Sequence, residues 1–112
     1  MVGHARVINR RDIQEAVRIL VEVARPTRIV LFGSQARGDA RADSDIDLLV
    51  VEPTVTDRVG EIVRLRRAIR HLRLPVDLIV ASEGDITDWG GLPGTIYYWA
   101  LREGTVLHEK AA

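Results

Sequence analysis

The stretch "GSQARGDARADSDIDLLVV", Gly33 to Val51, decides how this chain is read. It opens on a glycine-serine turn, passes through a loop carrying both charge signs, and ends in an apolar strand that bears Asp45 and Asp47. Carboxylates held in apolar surroundings are costly unless something compensates them. Side chains alternate across a strand, so Asp45 and Asp47 share one face and Ile46 and Leu48 the other. Two such carboxylates repel each other, and a divalent cation reverses the sign of that interaction. Mg²⁺ in particular favours a few carboxylates together with substrate phosphates. Alone, an Asp-x-Asp pair is more often just the solvent-facing start of a strand.

The residues upstream change that balance. "RIVLF" (Arg28–Phe32) is a short β-branched run, read as a strand. Gly33-Ser34 then turns the chain, and "SQAR" forms one helical turn. A strand, a glycine and a hydroxyl at a helix start make a phosphate-binding geometry, because free N–H groups and the helix dipole point at the anion. The plainer reading is a turn with a serine N-cap. Arg37 stands to neutralise phosphate, or to pair with Asp39 or Asp43. Asp77 sits in "PVDLIVA" (Pro75–Ala81), a second apolar strand with a carboxylate. If that strand neighbours the first, a third carboxylate joins the cluster.

Helical spacing marks Asp12–Arg25, with Asn9 or Asp12 as cap and Pro26 as stop. "DIDLLVV" (Asp45–Val51) is the second strand. A longer helix is predicted over Thr56–Leu72, with Val59, Ile62, Val63, Leu65, Ile69 and Leu72 facing inward and Arg58, Arg64, Arg67 and Arg70 outward. "SEGDITDWGGLPG" reads as a loop. Ile96–Arg102 reads as a short helix capped by Gly104, and "TVLHE" (Thr105–Glu109) as an edge strand. The fold class is therefore α/β (α+β). Neighbouring strands joined by a short loop favour antiparallel pairing, so a small mixed sheet packed against helices is expected.

At 112 residues the chain has the length of one domain, taken as 1–112. A hydrophobic fraction of 46% and a charged fraction of 29% exclude a disordered chain. A formal net charge of +0 argues against bulk nucleic-acid binding, so no direct nucleic-acid contact is expected. With no cysteine there is no disulfide framework or thiolate metal site, which suits a cytoplasmic location. No apolar run is long enough to span a bilayer. His4, His71 and His108 lack metal-like spacing. "WGGLPGTIYYW" holds both tryptophans and both tyrosines; Ile96 and Trp99 are expected in the core, and the cluster is otherwise open to being an interaction patch.

Taken together, Gly33-Ser34, the ten-residue spacer and Asp45-Ile46-Asp47 resemble the G-S-x10-D-x-D signature of the DNA polymerase β nucleotidyltransferase superfamily. The flanking "FGSQARG" and "SDIDLLV" are similar to its minimal-nucleotidyltransferase branch, whose members are often encoded beside a HEPN-domain partner. Gln35 stands where many relatives have arginine, which removes one possible phosphate contact. The resemblance implies a polymerase β-like fold and a triphosphate substrate, ATP above others. It implies two Mg²⁺ ions held by Asp45, Asp47 and Asp77, with Asp77 also helping to deprotonate the acceptor. Gly33, Ser34 and Arg37 would bind phosphate.

Three readings follow from the resemblance. One is an antitoxin that transfers AMP to a hydroxyl, a tyrosine of a HEPN toxin, and forms a hetero-oligomer with it. Another is a catalytically weak antitoxin acting by contact alone. The third is an enzyme acting on a small molecule, for which this length leaves no second domain to hold the acceptor.

Overall fold

The computed structural model describes residues 8–38 and 45–111. Asp39, Asp43 and His4, and with them the proposed Arg37–Asp39 and Arg37–Asp43 pairs, lie outside the described residues. Within the described residues the order is α1 (Arg10–Ala24), β1 (Arg28–Phe32), α2 (Gly33–Arg37), β2 (Ile46–Glu52), α3 (Arg58–Ile69), a 3-10 turn (Arg70–Leu72), β3 (Val76–Ser82), α4 (Glu83–Trp89), α5 (Ile96–Glu103) and β4 (Thr105–Glu109). The sheet runs β3-β2-β1-β4. β1 is antiparallel to both β2 and β4, whereas β2 and β3 are parallel. The expected mixed sheet is thus present. The parallel pair is allowed because α3 provides the long crossover that parallel strands need.

Helices α1 and α3 cover one face, packing Leu20, Leu65 and Ile69 on Ile46, Leu48, Val50, Leu78 and Val80. On the other face, Ala100, Tyr97 and Leu101 of α5 and Ile86 of α4 pack on Val30, Leu49, Val51 and Ala81. Both faces of β2 are covered from Leu48 onward, which is why "LLVV" reads as a continuous apolar run. The alternation that sets Asp47 against Ile46 survives only at the strand's beginning.

Local hydrogen bonds set the helix limits. Asn9 and Asp12, alternative caps in the sequence, act together: the Asp12 N–H donates to Asn9 Oδ1 at 3.0 Å, and the Asn9 N–H donates to Asp12 Oδ2 at 3.1 Å. α3 is shorter than Thr56–Leu72. Its start is fixed where Asp57 Oδ1 accepts from the Gly60 N–H at 3.0 Å, and residues 70–72 tighten into the 3-10 turn. Its buried stripe is Ile62, Leu65 and Ile69. Val59 and Val63, expected inward, are instead 72% and 42% exposed, because they fall one stripe over, alongside Arg66 and Arg70.

Two further expectations are corrected. Residues 83–89 form α4 rather than loop, started by a second capping box in which Ser82 Oγ accepts from the Asp85 N–H at 3.0 Å and Asp85 Oδ2 from the Ser82 N–H at 2.9 Å. Ile96 and Trp99 are half exposed, not core, since α5 turns Tyr97, Ala100 and Leu101 to the sheet. The Trp99 and Tyr98 rings meet nearly perpendicular, with centroids 5.2 Å apart. Gly104 does end α5, but with extended backbone. It is a close-approach glycine: a β-carbon there would run into the Ala100 and Leu31 carbonyls and the Val30 side chain.

At the far end of β2 lies Glu52, only 8% exposed. Its Oε2 has no hydrogen-bond partner among the described residues. Burial first, then the neighbouring Glu61 carboxylate, pushes Glu52 up to about 8. Glu61 is held below its ordinary value, chiefly by its hydrogen bond to Arg64. The proton of the pair therefore resides on Glu52.

Candidate active site

The sheet register assembles the site. Phe32 on β1 stands opposite Asp47 on β2, and Asp47 stands opposite Asp77 on β3, so the three form one row across the strands. Asp77 is the third carboxylate that the sequence raised, and parallel pairing puts it on the same face as Asp47. Asp45 lies exposed just before β2, two residues from Asp47. Among the described residues the carboxylates of Asp45, Asp47 and Asp77 make no hydrogen bond or ion pair.

Gly33 follows Phe32 directly and opens α2 with φ at +73°, a left-handed conformation that disfavours any residue with a β-carbon. A β-carbon at this position would overlap Asp47 Oδ2, with Cγ at 3.2 Å. Glycine is therefore required twice, by the turn and by the carboxylate beside it. Ser34 is not the N-cap, since Phe32 occupies that position without a side-chain bond. Among the described residues the Ser34 hydroxyl makes no hydrogen bond, so the plain N-cap reading loses its ground.

Asp47 is half-buried, and its carboxyl lies above the ordinary aspartate range. Loss of solvent is the main cause, followed by the charges of Asp77 and Asp45, with Arg37 pulling the other way. Arg37 is thus within electrostatic reach of the carboxylates. It also lies 3.7 Å from Glu103 Oε2 on α5, a loose pair the sequence reading did not foresee.

All the donors here are hard carboxylate oxygens. No group of three or more His, Cys, Asp or Glu side chains among the described residues is arranged to hold a metal by itself. The carboxylates therefore do not form a closed cage. Mg²⁺ usually takes one or two protein carboxylates and completes its shell with water and substrate phosphate. The aligned Asp47–Asp77 pair with Asp45 beside it fits a cation arriving with a triphosphate, not a resident structural metal.

Neither Arg66 nor Glu52 carries a sequence signal that sets it apart. Arg66 sits in an arginine-rich helix that reads as a solvated face, net basic and so open to RNA or an acidic protein partner, and Glu52 at the end of an apolar run before Pro53 looks like a strand terminus.

With this geometry in view, the chain matches the nucleotidyltransferase domain family over residues 11–90 and belongs to that family. A solved structure assigned to the minimal nucleotidyltransferases is 34% identical, with 93% of this chain and 98% of that chain covered and a TM-score of 0.57. Two more distant structures share the fold. One is a toxin–antitoxin crystal structure with AMP-PNP, at 20% identity, covering 87% of this chain and 73% of that one, TM-score 0.60. The other is assigned as a nucleotidyltransferase from Sulfolobus solfataricus, at 22% identity, covering 92% and 91%, TM-score 0.51. No curated protein matches the chain. Among the described residues no helix is long and apolar enough to cross a membrane.

Proposed function

We propose that this nucleotidyltransferase moves an adenylyl group from ATP to a hydroxyl of a partner protein, a tyrosine of a HEPN-type toxin in a cytoplasmic toxin–antitoxin pair. The alignment of Asp47 with Asp77, one residue from the Gly33 turn, carries this reading. In it, the backbone at Gly33 and Ser34 receives the outer phosphates, and Arg37 offsets their charge. Asp45 and Asp47 would hold Mg²⁺ beside the triphosphate, and Asp77 faces the acceptor. Bound Mg²⁺ would offset charge on the triphosphate oxygens and favour displacement at the α-phosphorus.

The acceptor oxygen forms a bond to the α-phosphorus, the bond from that phosphorus to the bridging oxygen breaks, and pyrophosphate leaves. The acceptor's proton passes to Asp77. A tyrosine hydroxyl, with a pKa of about 10, needs such help at neutral pH. The AMP-PNP in the distant toxin–antitoxin structure is consistent with an adenine nucleotide here.

The position of the label in ATP tests this. Incubated with Mg²⁺ and the product of the neighbouring gene, ATP labelled at the α-phosphate should leave label on protein, and ATP labelled at the γ-phosphate should leave none. Label from the γ-position would mean phosphoryl transfer and overturn the proposal. A second reading, neutralisation by contact alone, draws on the exposed Trp89, Ile96 and Trp99, and would leave no label from either.

A further inference from the structure

A cleft of about 710 Å³ lies between α3 and the start of β3. Asp45 and Asp77 contribute to its lining, and so do Arg66, Arg67 and Arg70. Gly33, Ser34 and Asp47 do not. In the sheet, β3 and β1 flank β2 on opposite sides, so this cleft approaches the carboxylates from the side away from the glycine turn.

Three other arginines of the chain are neutralised by carboxylates. Arg18 pairs with Glu15 and Glu22, Arg58 with Asp85, and Arg64 with Glu61. The side chains of Arg66, Arg67 and Arg70 make no ion pair or hydrogen bond among the described residues. Three cations within one helical turn repel one another. Their place at the C-terminal end of α3 suits the helix dipole, but that does not explain the exposed Val59 and Val63 on the same side. Apolar Val63, Ile69, Leu74, Pro75 and Val76 complete the lining.

We propose that this cleft binds an acidic polypeptide segment and thereby selects the protein that presents the acceptor hydroxyl. This rests on the nucleotidyl-transfer reading for what happens next, but the binding can be measured without it. The two halves of the lining demand a ligand of two parts. The arginines take an anionic group, while Asp45 and Asp77 disfavour an anion that arrives without a cation and admit a neutral hydroxyl. An acidic segment with apolar side chains beside a tyrosine meets both demands and uses the apolar wall. Single-stranded nucleic acid does not: none of the described residues lining the cleft is aromatic and able to stack a base, and a continuous phosphate chain would meet two carboxylates.

Fluorescence anisotropy with three probes tests this: a labelled peptide with a tyrosine flanked by glutamates and valines, the same peptide with glutamines for the glutamates, and a short single-stranded RNA. The acidic peptide should bind best, with affinity falling as salt rises. The glutamine peptide should bind about tenfold or more weaker, as should the acidic peptide to the combined Arg66→Gln, Arg67→Gln, Arg70→Gln variant. The corresponding triple lysine variant should recover most of the loss, which separates charge from packing. If the triple glutamine variant fails to fold, single Arg67→Gln and Arg70→Gln variants replace it, each expected to weaken the acidic peptide several-fold. Equal binding of the two peptides, an unchanged affinity in the arginine variants, or tighter binding of the RNA would overturn the proposal.

The Mg²⁺·ATP-induced thermal shift, read on the same variants, keeps the two readings apart. Loss of that shift in the arginine variants would place the triphosphate in this cleft and overturn the inference while leaving nucleotidyl transfer intact. Normal peptide selectivity in a protein that shows no Mg²⁺·ATP shift would do the reverse.

Discussion

The Asp47 carboxylate occupies the space that a β-carbon on residue 33 would need. The turn and the carboxylate pair are thus one unit, and replacing the glycine displaces the candidate metal ligand as well as narrowing the approach for phosphate. Gly33→Ala should cost about 1–2 kcal/mol in stability from the left-handed backbone alone, and should abolish the Mg²⁺·ATP thermal shift. Gly38 is the control, since its φ is +80° but no described residue lies within reach of an added β-carbon. Gly38→Ala should cost about 1 kcal/mol and keep the shift. Urea denaturation and thermal shift check both, and a full shift in Gly33→Ala would break the link between the two residues.

Asp47→Asn should stabilise the protein without nucleotide while removing its response to Mg²⁺·ATP. Burial and the charges of Asp77 and Asp45 raise the Asp47 carboxyl above its unfolded value, so the folded state binds that proton more tightly. Its contribution to stability is full below the ordinary aspartate range and is lost as pH rises through the raised value. The gain from Asp47→Asn should therefore be larger at neutral pH than in acid, amounting to a few degrees in melting temperature, on the order of 4–8 °C per kcal/mol for a domain near this size. Melting curves across pH read it directly.

Glu52 gives a second pH signature at the opposite end of β2. With its folded value at about 8 against 4.5 unfolded, its stabilising contribution is complete below pH 4.5 and disappears as pH rises to about 8. Glu61, whose value is lowered, works the other way and only below its ordinary range. Glu52→Gln should flatten the stability profile between these limits and raise stability at pH 8 by about 1–3 kcal/mol, the scale of a buried unsatisfied group. Denaturant midpoints at pH 5 and pH 8 measure the change in slope.

Asp77→Asn should separate binding from chemistry. Asp77 is exposed and lies across Asp47 from the glycine turn. The variant should fold, retain much of the Mg²⁺·ATP shift, and lose transfer by about 10²–10⁴-fold, the usual contribution of a general base. Single-turnover transfer alongside nucleotide titration shows which step fails.

Most of the site was legible because it is local or strand-borne. Gly33, Ser34, Asp45 and Asp47 lie within one short stretch, and period-two alternation puts the two carboxylates on one face. Asp77 was legible as a carboxylate in an apolar run, but its position opposite Asp47 depends on parallel pairing, which no local pattern encodes. The arginine cleft was hidden for a related reason. Helical spacing in α3 admits two adjacent apolar stripes, and only packing against β3 decides that Ile62, Leu65 and Ile69 go inward while Val59 and Val63 stay beside the arginines. α4 was missed although Ser82 and Asp85 carry a capping-box spacing, because the glycines and proline that follow outweighed it.

The intact mass of the partner protein tests the central claim most directly. After incubation with wild-type protein, ATP and Mg²⁺, the product of the neighbouring gene should gain about 329 Da per adenylyl group, the mass left when pyrophosphate departs. The gain should vanish with Asp47→Asn and with Asp77→Asn. An unchanged partner mass together with full neutralisation of the partner by the combined Asp45→Asn, Asp47→Asn, Asp77→Asn variant would contradict the enzymatic account.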